Sequence, residues 1–154
     1  MQVSDLVTPN AVKVLGGCTS KKRLFHDLAA LAEQTYAFPV ADVVDALIER
    51  ENLGPTGVGH GIALPHARLA KVDRVCGVFL RLEKPLNFDS VDRQPVDLVF
   101  ALFAPEEAGV EHLKALALVA RTMRNAETCT KLRANTDPST LHTILTEHQT
   151  SQAA

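Results

Sequence analysis

Apolar positions along this chain alternate between a period of two and a period near 3.6, and the changes of period divide it into elements. Ala11-Val12-Lys13-Val14-Leu15 alternates in polarity and stops at Gly16-Gly17, which predicts a first strand. Leu24, Phe25, Leu28, Leu31 and Ala32 then recur at helical spacing behind Thr19 or Ser20 as N-cap, predicting a helix over 20–35. Phe38-Pro39 breaks it. Val43, Val44, Leu47 and Ile48 form the buried stripe of a second helix over 40–52, which Gly54-Pro55 ends.

Three β-rich runs follow. Ile62 to Leu64 closes at Pro65, and a proline cannot donate to a ladder, so His66 is expected at the mouth of the sheet. Val75 to Leu82 is the second run. Val96 to Phe103 is nearly all apolar, as a strand covered on both faces must be, and residues 84–89 between them read as a loop. Leu113, Leu116, Ala117, Ala120 and Met123 then line a helix over 110–125, and a short helix follows over 127–134. The last helix starts at Asp137-Pro138, a capping residue with proline in the first turn, and runs to about 148. The predicted order is β-α-α-β-β-β-α-α-α. It implies an α/β fold with a sheet between helical layers, one domain over 1–148 and a tail over 149–154.

Composition narrows the class. At 154 residues, with 46% hydrophobic and 22% charged side chains, the chain suits one globular domain with a sizeable core. A net charge of -2 argues against nucleic acid as the main partner. Cys18, Cys76 and Cys129 are odd in number and widely spaced, which speaks against a disulfide framework or a zinc site and suits a reducing cytoplasm. No signal peptide is visible, and the longest apolar run, Leu98 to Ala104, is far shorter than the ~20 residues a membrane span needs, so no membrane insertion is expected.

The candidate chemistry sits in Thr56-Gly57-Val58-Gly59-His60-Gly61-Ile62-Ala63-Leu64-Pro65-His66-Ala67-Arg68. Glycines let backbone N–H groups approach an anion closely. A neutral imidazole keeps a lone pair for attack, and phosphoryl transfer asks mainly for positioning and charge stabilisation. His66 is therefore the candidate nucleophile, with Thr56, Gly57 and Gly59 offering hydroxyl and backbone donors and Arg68 a fixed positive charge. A histidine that merely caps a strand is the structural alternative. His60 competes with His66, but a shared metal does not fit them. Six extended residues span ~20 Å, whereas each ligand must lie ~2 Å from the ion, and no Cys, Asp or Glu nearby completes a set. His112 opens the helix over 110–125 and is either a surface residue or a second imidazole facing His66. No nucleotide-binding glycine motif opens a helix, and no serine-nucleophile elbow occurs.

The run Arg50-Glu51 … Thr56-Gly57-Val58-Gly59-His60-Gly61-Ile62-Ala63-Leu64-Pro65-His66-Ala67 resembles the phosphorylation-site signature of type 2 enzyme IIA domains of the bacterial phosphoenolpyruvate-dependent phosphotransferase system. Arg93-Gln94-Pro95-Val96-Asp97-Leu98-Val99-Phe100-Ala101-Leu102 and His112-Leu113-Lys114-Ala115-Leu116 extend the likeness to almost the whole chain. The resemblance implies a mixed sheet layered between helices. It implies that His66 accepts a phosphoryl group on its tele nitrogen from an HPr-like phosphocarrier. His112 would then support the group, Arg50 would stand beside it, and the loop of Thr56, Gly57 and Gly59 would enclose it. No cofactor or metal is implied. His60 departs from the pattern, which more often has asparagine there.

A stand-alone domain with Phe88-Asp89 … Asp92-Arg93-Gln94-Pro95 is most similar to the nitrogen-regulatory branch, whose members act on potassium-transport proteins or sensor kinases; a homodimer is compatible with it. The alternatives are a sugar-transport enzyme IIA that passes the group to a IIB domain, an interaction domain without transfer, and a metal-dependent hydrolase.

Overall fold

A computed structural model describes residues 1–147 in full and 148–153 as backbone within the last helix; the expected tail, 149–154, lies outside the fully described residues. In chain order the elements are α1 (Val3–Leu6), a 3-10 turn (Pro9–Ala11), β1 (Val12–Leu15), α2 (Lys21–Tyr36), α3 (Val40–Glu51), β2 (Gly57–Gly59), β3 (Ile62–Ala63), β4 (His66–Leu69), β5 (Cys76–Leu86), β6 (Val96–Pro105), α4 (Val110–Arg124), α5 (Ala126–Arg133) and α6 (Pro138–Ala153).

Local chemistry sets the helix boundaries. Ser20 Oγ accepts from Arg23 N–H at 3.1 Å and starts α2, and Ala37 closes it in a left-handed conformation. Asn125 caps α5 through Thr128 N–H at 2.9 Å. The Asp137 carboxylate accepts from Ser139 N–H at 3.2 Å, just where proline opens α6.

The strands form one mixed sheet in the order β1-β5-β6-β3-β2, with β4 also on β6. β1 runs parallel to β5, β5 and β6 are antiparallel, and β3 and β4 both run parallel to β6. Helices α2 and α3 cover β5 and β4, while α4, α5, α6 and α1 pack together against β6 and β1. The core is widest at β5 and β6, where residues 98–104 are all buried and Phe79 meets Phe100 edge-on at 6.1 Å.

Four expectations are corrected. The short helix α1 precedes β1, and four residues are too few to show a helical period. Five strands, not three, follow α3. Gly57–Gly59 pairs as β2, so the expected loop is half of a hairpin, and residues 66–69 pair as β4. β5 continues through Lys84 and Pro85 to Leu86, because Lys84 N–H donates to Gly16 O at 2.9 Å and Leu86 pairs with Val96 beyond an irregularity in register. Finally, His66 does not stand at the mouth of the sheet. β3 and β4 lie end to end along β6, broken at Leu64-Pro65, with β2 covering β3 and β4 left at the edge, and His66 lies opposite Leu102, inside the length of β6. Pro65 has no N–H to give, so the break falls there.

Candidate functional site

The break between β3 and β4 builds the site. Leu64 O accepts from the Nδ1 side of the His66 ring at 3.0 Å, and Arg50 Nε donates to His66 Nε2 at 3.1 Å. A nitrogen that accepts from a guanidinium carries no proton. The two bonds therefore assign one tautomer, with Nδ1 protonated and Nε2 a bare lone pair. Burial, chiefly, holds the His66 pKa below its ordinary value, and the Arg50 charge adds to this against the opposing Leu64 bond and Glu51 charge. At neutral pH the ring is a neutral nucleophile.

Arg50 is held in turn. It lies in the last turn of α3, and its Nη1 donates to Gly54 O at 3.1 Å. The next residue, Glu51, is a nearly buried carboxylate with several donors. Thr56 donates to it through N–H at 3.1 Å and through its hydroxyl at 2.5 Å, and Lys21 Nζ lies 2.9 Å away. Lys21 also sits 4.4 Å over the Phe88 ring. Sequence reasoning did not reach Glu51 as an organising residue. Its partners lie 5 and 30 positions away, so no local spacing signals them.

His112 faces His66 with ring centroids 5.6 Å apart at 76°. It is buried, and its Nε2 has no hydrogen-bond partner among the described residues. Burial first, then the charges of His66 and Arg68, push its pKa down to about 4. A cavity of about 420 Å³ gathers Glu49, Arg50, His66, Arg68 and His112 beneath Leu113. Arg68 donates to Glu106 O at 3.1 Å and leaves its remaining donors at the rim.

Three predicted loop residues are not brought to this cavity. The N–H and hydroxyl of Thr56 are both spent on Glu51. Gly57 packs against Ser90, whose Oγ a Cβ would meet at 2.3 Å. Gly59 packs beside Asp92 and has φ +101°. None of the three lines the cavity at His66. His60 points elsewhere as well. His60-Gly61 forms the two-residue tip of the β2–β3 hairpin, and both residues have positive φ, 58° and 80°. Such turns favour Asn-Gly, so the usual asparagine at this position has a backbone reason, and histidine tolerates the same conformation.

A bare imidazole nitrogen, an arginine beside it and a second imidazole with an open nitrogen line one cavity, an arrangement that can hold an anion against a nucleophilic nitrogen. Residues 5–148 match the family model described as "Phosphoenolpyruvate-dependent sugar phosphotransferase system, EIIA 2". The chain belongs to this family.

Relatives of this enzyme IIA include the nitrogen regulatory protein of Bradyrhizobium diazoefficiens, 44% identical over 94% of this chain and 95% of that one. The nitrogen regulatory protein of Escherichia coli is 38% identical over 96% of this chain and 91% of its own length. Among solved structures, nitrogen regulatory protein IIA-Ntr from Neisseria meningitidis superposes with a TM-score of 0.86 at 35% identity, covering 94% of this chain and 99% of that one. Within the family, the chain stands in the nitrogen-regulatory branch. No helix of the described residues is long and apolar enough to cross a membrane.

Proposed function

We propose that this enzyme IIA is a phosphohistidine carrier that works mainly as a regulator, with His66 Nε2 taking the phosphoryl group from an HPr-like phosphocarrier of the nitrogen branch. The observation that carries the reading is the tautomer. Nε2 is unprotonated and turned to a cavity bounded by Arg50 and His112, while Nδ1 is tied to Leu64 O. In the transfer, the P–N bond of the donor phosphohistidine breaks and its electron pair returns to the donor ring. A new P–N bond forms from the Nε2 lone pair, and no proton need leave His66. Arg50 exchanges its bond to Nε2 for one to a phosphoryl oxygen, and His112 Nε2–H donates to another.

The surroundings suit docking of a carrier. Leu113 at the cavity and Val110 one turn earlier on α4 are 66% and 63% exposed, apolar area that a partner would cover. These carriers place the protein in the cytoplasm. It acts on other proteins according to its phosphorylation state instead of passing the group to a sugar-specific IIB domain.

The test is incubation with labelled phosphoenolpyruvate, enzyme I and the nitrogen-branch carrier. Wild type should acquire one acid-labile phosphoryl group, and His66→Ala none. Full labelling of His66→Ala overturns the assignment.

A further inference from the structure

A second concavity has about twice the volume of the cavity at His66. It is a cleft of about 870 Å³ between the β2–β3 hairpin and helices α4 and α5, within the range of small-molecule sites. Ile62, Leu64 and Met123 give it an apolar floor, and Leu64 stands at the break between β3 and β4, two residues before His66. Its mouth is formed by His60, Arg121 and Arg124.

The charges at the mouth are unbalanced. Arg133, deeper in the cleft, is spent on Asp97 at 2.9 Å and on His60 O at 2.8 Å. Asp92 accepts from His60 N–H and Gln94 N–H, and Glu127 is paired with Lys131. Arg121 and Arg124 lie three residues apart in the last turn of α4, both exposed, and neither has an ion pair or side-chain hydrogen bond among the described residues. Two free guanidiniums over an apolar floor match a ligand with a negative head and a flat apolar body.

We infer that this cleft binds a small organic anion, a carboxylate or phosphate on an apolar ring system, with Arg121 and Arg124 holding the head and Ile62, Leu64 and Met123 the body. The site lies back to back with the phosphoryl cavity. The Leu64 side chain lines the cleft, while its carbonyl takes the His66 Nδ1 bond at 3.0 Å. A ligand seated there presses on the residue that fixes the His66 tautomer. The effect on transfer rests on His66 being the acceptor; the binding does not.

The experiment titrates the unphosphorylated, isotope-labelled protein with 2-naphthoate and, as an uncharged match in shape, 2-naphthamide, read by NMR. The carboxylate should shift the amides of Val58, Ile62, Leu64 and Met123 and the His66 ring nitrogens, and should bind about tenfold or more tighter than the amide. Arg121→Gln/Arg124→Gln, both solvent-exposed positions, should abolish that preference with the spectrum otherwise intact. Ala120→Leu, which narrows the cleft, should weaken both probes. Equal affinity for the two probes, shifts confined to other residues, or undiminished binding by the double arginine variant overturns the site. So does a concentration-dependent dimer that covers the same residues. Binding that leaves the His66 ring unchanged overturns the coupling. Because the protein carries no phosphoryl group throughout, failure here is separate from failure of the labelling test.

Discussion

Arg50 and Leu64 hold the two nitrogens of His66 in different roles, and the chemistry expected of this residue follows from that difference. Arg50→Gln keeps a donor but loses the charge, and it should slow phosphoryl acceptance roughly a hundredfold, the usual scale for one positioned donor lost from such a site. A rapid-quench time course with phosphorylated carrier measures it, and an unchanged rate would remove Arg50 from the mechanism. His112 makes a prediction about pH. Its pKa is near 4 when folded, against an ordinary histidine value of ~6.5, so the unfolded chain binds the extra proton between those values. Stability must therefore fall as pH falls through that window and flatten below about pH 4. Between about pH 7 and pH 5 the loss due to His112 should be about 1–2 kcal/mol, read from urea midpoints. His112→Gln should make the dependence shallower without removing it, because His66 is displaced in the same direction.

At the scale of elements, two joints hold the site in place. One is the end of α3, where Glu51 ties Lys21 from the start of α2 to Thr56 after the turn. Glu51→Gln surrenders the ion pair and must bring an amide N–H among donors. It should lower stability by roughly 1–3 kcal/mol and slow labelling, while the label stays on His66. Thermal unfolding and mapping of the phosphorylated residue check both halves. The other joint is the β2–β3 hairpin. Gly61 has φ +80°, and a Cβ there would meet Arg133 Nη2 at 2.6 Å and Asp97 Oδ1 at 2.9 Å. Gly61→Val should cost roughly 2 kcal/mol or more in denaturant unfolding, whereas His60→Asn should be near neutral, since both residues suit that turn. Long helices and apolar strands were legible at this scale, because their periods run over enough residues to stand out. The short strands β2 and β4 were not. At three and four residues, with glycines in one and a histidine and an arginine in the other, they show no apolar run, and pairing with β3 and β6 decides them.

For the whole molecule, β5 and β6 are the spine. They join all but one of the other strands to the sheet and bury nearly every side chain of β6. Native-state hydrogen exchange should be slowest at their central amides and much faster at the β2–β3 hairpin, at the sheet's edge. Equal protection in both places would refute that hierarchy. Layering and single-domain size could be read from the chain, because alternating helical and strand periods leave few ways to cover a sheet. Residues 62–66 and the outlying Arg50 and His112 were also readable as a set, since their types and order suffice to recognise the family. Their arrangement was not readable. The Leu64 carbonyl on His66 Nδ1 is a local bond, two residues apart, and Thr56 reaches Glu51 across five; the break at Pro65 against β6 and the approach of Arg50 and His112 to His66 depend on partners distant in sequence. So does the second cleft behind Leu64, which exists only because α4 and α5 pack across the hairpin. Local order along the chain determined which residues could do the chemistry; only tertiary packing, which carries Arg50 and His112 to His66, decided how they stand around it.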